Sequence, residues 1–206
     1  MRIDEIAQRV VWHASYVSGI TEFRFLTHLG TWSAAAERAL QKDFYPDVLK
    51  LPELRPIYMY QVDMSACRQG VQVRDDPDFG DPLDHVVENM RFLPKEVREK
   101  FDQGEHYHIL QRQLPKIFDD AGIDYLWYYN KVESPRSRSY VVLNPDCFKI
   151  VGVEKLTATD LMLADLKMVE RLFQRKVWPD WWKPKIQQHL RQKHAAPQVD
   201  ISFFQK

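Results

Sequence analysis

The stretch VVWHASYVSGITEFRFLTHLGTWSAAAERAL (10–40) decides the architecture of this chain. VVWHA (10–14) is a β-prone run that ends in Ser15, Ser18 and Gly19, and a short strand there presents His13 near its C-terminal end. After Thr31, the segment SAAAERALQKDF (33–44) has high helix propensity, Ser33 as an N-cap and Pro46 as a stop. The opening unit is therefore strand, loop, helix.

Further along, IYMYQVDM (57–64) alternates, with Tyr58, Tyr60, Val62 and Met64 forming the apolar set of a second strand. Residues 68–82 carry turn chemistry around Gly70, Asp75-Asp76-Pro77 and Asp81-Pro82, with one short strand at Val71–Val73. Helices are expected at 83–92 and 94–101, the second opened by Pro94 at its first position. From Tyr107 to Ala121 the apolar spacing is helical and Gly122 suits the position after its end, while Pro115 predicts a kink or an early break. Three strand-like runs follow at 123–129, 139–144 and 147–153, the last two joined by the tight turn Asn144-Pro145-Asp146. Thr157 and Asp160 cap a helix expected to run to about Arg175, with Leu161, Ala164, Met168 and Leu172 on one face.

Composition bounds the rest. The chain has 206 residues, 45% hydrophobic and 13% aromatic, which excludes a disordered or collagen-like polymer. With 29 basic against 29 acidic side chains, no global charge draws it to DNA or to an anionic membrane. Asp4 and Glu5 stand where a secretory signal would be basic and then apolar, and no run of about 18 apolar residues occurs, so a soluble cytoplasmic protein without a membrane span is expected. Cys67 and Cys147 lack metal or redox spacing and read as ordinary thiols in a reducing compartment. His106 and His108 lie two apart on a helix and share no face, so no metal site is expected.

Two blocks then match one family. In the first are His13-Ala14-Ser15, Ile20 to Phe23, His28-Leu29-Gly30-Thr31 and Ala34-Ala35-Ala36. The second, AGIDYLWYYNKVESPRSRSYVVLNPDCFKIVGV (121–153), supplies Gly122, Asp124, Tyr128, Asn130, Glu133, Pro135, Ser137, Ser139, Tyr140 and Pro145. Together they resemble the ADP-ribosyltransferase-like proteins of bacteria and their phages. Those proteins show a strand ending in His-Gly-Ser/Thr, a His-Phe-Gly-Thr turn into an Ala-rich helix, and later Tyr-x-Asn-x-x-Glu followed by Ser-Tyr and a strand. The resemblance covers about residues 8–153. Ala14 replaces the middle Gly, and Ser139 stands where poly(ADP-ribose) polymerases carry their catalytic Glu.

The resemblance implies an α+β fold with split mixed β-sheets around an NAD cleft, over residues 1–155; the change in composition near 155 marks off a helical, basic, Trp-rich extension over 156–206 expected to pack on it. The resemblance also implies NAD as co-substrate and transfer of ADP-ribose to a macromolecular acceptor, protein or nucleic acid, in the setting of a bacterial or phage toxin or effector; whether a neutralising partner protein exists is left open by the sequence. Breaking the ribose–nicotinamide bond passes through an oxocarbenium-like state that needs a grip on ribose and amide and a carboxylate near the developing charge. His13 would hold a ribose hydroxyl, and Ala14 (through its backbone) and Ser15 the nicotinamide amide. Trp32, Tyr140 or a tyrosine of 125–129, Tyr129 among them, would stack on the ring. Glu133 would supply the carboxylate, Asn130 would orient either that carboxylate or the acceptor, and Ser139 would replace the missing Glu or mark a degenerate site. His28 would touch NAD or pack its turn; Thr31 would touch NAD or cap its helix.

The alternative is a member that has lost transfer chemistry and binds nucleic acid or a partner protein. Between Lys167 and Lys193 eight Lys/Arg accompany two acidic residues and Trp178, Trp181 and Trp182. Such a mixture suits single-stranded nucleic acid, or a helical pair packed by its tryptophans with a solvated basic face.

Overall fold

A computed structural model describes residues 10–43, 56–73, 107–130 and 136–174, with Lys95 and Glu99. The helices expected at 83–92 and 94–101, Glu133, and the Trp-rich segment from 175 onward lie outside the described residues, apart from Lys95 and Glu99. The chain is α+β, with two small sheets. Its order is β1 (Val10–Ser15), β2 (His28–Leu29), α1 (Trp32–Asp43), β3 (Ile57–Asp63), β4 (Gly70–Gln72), α2 (Tyr107–Asp120), β5 (Tyr125–Tyr129), β6 (Arg138–Val142), a 3-10 turn (Pro145–Cys147), β7 (Lys149–Leu156), α3 (Ala158–Ala164) and α4 (Leu166–Gln174).

β1, β3 and β7 form an antiparallel sheet with β3 in the middle, and β2-β6-β5-β4 form a mixed sheet whose β4 and β5 run parallel. The sheets meet where Trp12 N donates to Gly30 O at 2.8 Å and Gly30 N to Trp12 O at 3.0 Å. Because side chains alternate along a strand, this seam gives the sheets two common faces. One face buries Val11, Leu29, Tyr60, Val62, Tyr125, Trp127, Tyr140 and Val142 between the sheets. On the other, Ile57 and Met59 pack against α1, α3 and α4, while Leu126 and Val141 pack against Leu114 and Phe118 of α2. Central β3 thus buries both sets of its alternating residues.

Three local expectations are corrected. α1 begins at Trp32, because Thr31 rather than Ser33 caps it: Thr31 Oγ1 accepts from Ala34 N at 3.2 Å, and Ser33 Oγ donates to Asp165 Oδ2. α2 runs through Pro115 to Asp120, so the early break does not occur; Leu114 and Phe118 are fully buried around the proline, and packing outweighs its missing backbone bond. Its end is as expected: Gly122 adopts φ 70° and a Schellman pair forms, Gly122 N to Asp119 O and Ile123 N to Phe118 O, both 2.9 Å.

The single helix expected over 157–175 is two. Asp165 breaks it at φ −141° and ψ 92° because its carboxylate serves elsewhere, accepting from Met168 N at 3.0 Å and from Ser33. The break rotates the buried face, so Ala164 is exposed while Met162 and Val169 join Leu161, Met168 and Leu172 inside. Thr157 and Asp160 form the expected capping box. α3 and α4 share one core with α1 and β3, tied further by Arg171 to the fully buried Glu37 at 2.8 Å.

A second buried carboxylate organises the far end of the mixed sheet. Asp124 accepts from Arg68 N, from Arg68 Nη2 at 2.7 Å and from Asn144 Nδ2 at 2.9 Å. Burial pushes its carboxyl up, but the bonds from the Arg68 side chain and backbone and from Asn144 outweigh this and hold it below the ordinary value.

Candidate functional site

His13 lies on the inter-sheet face because it alternates with Val11 and Ser15, opposite Tyr60 of β3. Its ring meets Phe23 edge-on at 5.4 Å and Tyr60 at 6.5 Å. Its Nδ1 sits 2.9 Å from the carbonyl oxygen of His28. A carbonyl only accepts, so Nδ1 carries the hydrogen, and a neutral ring then keeps its lone pair on Nε2. The loop after β1 is fixed to this face: Tyr60 Oη donates to Val17 O at 2.7 Å and accepts from Ile20 N at 3.2 Å. Ser15 Oγ accepts from Val17 N at 3.1 Å.

The register carries His13 into the second sheet. One step along from the Trp12–Gly30 pair, His13 lies level with Leu29, which pairs with Tyr140, which pairs with Trp127. Tyr60, His13, Leu29, Tyr140 and Trp127 therefore form one cross-sheet row. Tyr140 is fully buried in it, and the indole Nε1 of Trp127 is buried with no hydrogen-bond acceptor among the described residues. Beside this row, Tyr129 is 41% exposed, its ring 5.7 Å from that of Trp127, and the Arg138 guanidinium stacks 4.5 Å over the Trp127 ring.

The remaining candidates face elsewhere. His28, Tyr128, Asn130 and Ser139 occupy the opposite face: His28 Nδ1 lies 3.2 Å from Tyr128 Oη, and Asn130 Nδ2 donates to Ser139 Oγ at 2.9 Å. Asn130 and Ser139 are both buried. A Cβ on Gly30 would come within 3.6 Å of Ser139 Oγ and 3.3 Å of Ala34 Cβ, so the seam is closely packed there. Ala14 and Trp32 pack against the helical core, and Thr31 caps α1. Asn130 also closes a connection, donating from N to Ser137 O at 2.8 Å and accepting from Arg136 N at 2.9 Å. Arg136 adopts φ 72° there. Glu133 belongs to that connection and lies outside the described residues.

The structure thus brings His13, Ser15, Tyr129 and Tyr140 to one face and places His28, Asn130 and Ser139 on the other. Trp127, Arg138 and Tyr60 join the first group without having been named as site residues, as does Phe23, which the sequence offered only as the end of the Ile20 to Phe23 element. Period-two alternation could have found Trp127 and Arg138, since they share a face with Tyr129 and Tyr140. Among the described residues no three His, Cys, Asp or Glu side chains gather as a metal site, and no helix is long and apolar enough to cross a membrane. No protein-family model, curated protein or solved structure matches the chain.

Proposed function

We propose that this protein is an NAD-dependent ADP-ribosyltransferase of the bacterial or phage toxin and effector type, using NAD as co-substrate and modifying a macromolecular acceptor in the cytoplasm. The observation that carries the reading is the His13 tether. Nδ1 donating to the His28 carbonyl fixes the tautomer and the plane of the His13 ring, the group that the resemblance assigns to a ribose hydroxyl. The two joined sheets and the exposed ring of Tyr129 on the same face support the reading, since a nucleotide needs an aromatic surface.

In this reading NAD lies at the rim of the inter-sheet core, beside the partly exposed His13 and Tyr129, in an ADP-ribosyltransferase-like domain over 1–155. Ser15 and the Ala14 backbone meet the amide, and Glu133 supplies the carboxylate for the developing charge. Asn130 and Ser139 act as positioning residues, because they hold the ends of the connection that carries Glu133. The extension from 156 onward, knit into the core as far as Leu172, contributes acceptor choice through its basic, Trp-rich end.

The test is incubation of purified protein with labelled NAD and a lysate containing protein and nucleic acid, beside His13→Ala and Glu133→Ala. Label on one class of macromolecule, lost in both variants, supports transfer and identifies the acceptor class. The burial of Ser139, at the position where polymerases place their catalytic Glu, favours a second reading: a binding module without transfer chemistry. Absence of label together with absence of NAD binding by calorimetry selects that second reading.

A further inference from the structure

Cys67 and Cys147 are 80 positions apart in the chain, yet their Sγ atoms lie 2.7 Å from each other. Cys67 follows the turn after β3, a turn fixed by Ser65 N donating to Asp63 Oδ1 at 2.8 Å and Cys67 N to Met64 O at 3.1 Å. Cys147 closes the 3-10 turn before β7, with its Sγ 3.1 Å from Asn144 O. Both segments are anchored on one group: Arg68, next to Cys67, and Asn144, at the start of the turn holding Cys147, each bond the buried Asp124. The two thiols are therefore juxtaposed by a rigid, charge-assisted scaffold. Cys67 is partly exposed and Cys147 is buried, so a small reagent meets Cys67 first and Cys147 is placed to resolve the product.

We propose that Cys67 and Cys147 are a modification site, forming an intramolecular disulfide by exchange with a small-molecule disulfide. In the first step the Cys67 thiolate attacks one sulfur of the reagent, a Cys67–reagent bond forms, the reagent's S–S bond breaks, and one small thiolate leaves. In the second, Cys147 gives up its proton to solvent and attacks Cys67 Sγ, expelling the second small thiolate. Both leaving thiolates take up the protons that the cysteines released, so the protein loses two hydrogens and the reagent gains them. The hydrogen bond to Cys147, burial, and the nearby Asp124 and Asp63 charges all push the Cys67 thiol up. Little thiolate exists at neutral pH, and the exchange accelerates as pH rises.

The test treats the full chain with oxidised glutathione in mildly alkaline buffer, traps remaining thiols with an alkylating agent, and measures intact mass followed by non-reducing peptide mapping. The expected result is loss of both alkylatable thiols, no retained glutathione, and one linked peptide pair containing Cys67 and Cys147, all reversed by reductant. The oxidised chain should also melt several degrees higher than the reduced chain, because the link constrains a long loop of the unfolded state. Cys67→Ser and Cys147→Ser should each lose the linked pair and this rise in melting temperature. A stable glutathione adduct on Cys67 in the wild-type chain overturns the proposal. So do two fully alkylatable thiols after treatment, or links between chains only.

Discussion

Removing the guanidinium that faces Glu37 should unlock the helical layer. The Glu37 side chain is wholly inaccessible to solvent, and Arg171 reaches it with Nη2 at 2.8 Å and Nε at 3.1 Å while keeping 24% of its own side chain exposed. Arg171→Met keeps the aliphatic stem and leaves the carboxylate buried without that guanidinium. Breaking a buried pair in this way costs about 3–5 kcal/mol, and the partial exposure of Arg171 puts this case near ~3 kcal/mol. In a chain of this length that is a fall of about 6–12 °C in melting temperature. Urea unfolding should show a midpoint lower by about 1–1.5 M with an unchanged slope. Glu37→Met combined with Arg171→Met removes both charges and should be clearly less destabilised than the sum of the single variants. An Arg171→Met chain within about 0.5 kcal/mol of wild type would refute the reasoning. So would a double variant as unstable as the two singles added.

Three further outcomes are expected. Asp124 is held below its ordinary pKa in the folded state, so its contribution is complete above the unfolded value and fades as pH falls through the folded one. Acid unfolding followed by fluorescence should therefore begin below about pH 5 in the wild type and be shallower in Asp124→Asn. Thr31→Ala removes the cap of α1 and should cost about 1 kcal/mol, some 2–4 °C by calorimetry. Gly70→Ala places a methyl group into the Tyr125 ring and should cost about 1–3 kcal/mol by urea unfolding, with part of this recovered by adding Tyr125→Leu.

Much of the frame is legible in the residues. Alternation at 57–64 specifies β3, and Thr157 with Asp160 specifies the start of α3, because both signals are local. What fails is decided by partners distant in the chain. The split at Asp165 depends on Ser33, and the continuity of α2 through Pro115 depends on the sheet it covers. The same limit divides the candidate site. His13 is a candidate because of the His13-Ala14-Ser15 block, a strand end by itself being an ordinary place for a histidine, and its orientation comes from a backbone carbonyl that no motif records. Ser139 and Tyr140 are adjacent in sequence and alternate across β6, so they cannot line the same face. The cysteine pair was invisible for a related reason: spacing rules count positions along the chain, and Asp124 brings these two together across it.

The Trp12–Gly30 pair also has a consequence for solubility and assembly. Separate sheets of three and four strands would offer four rims of unpaired backbone to other chains. Joining β1 to β2 removes two of these, leaving β7 and β4 as the rims among the described residues. β4 is only three residues long, and β7 carries exposed Lys149, Glu154 and Lys155 along its length. Short rims and charged rims both resist edge-to-edge aggregation. A break at the seam would therefore create two new adhesive borders, and Gly30→Pro, which abolishes the Gly30 N–H donor, should make the chain prone to aggregate before it unfolds.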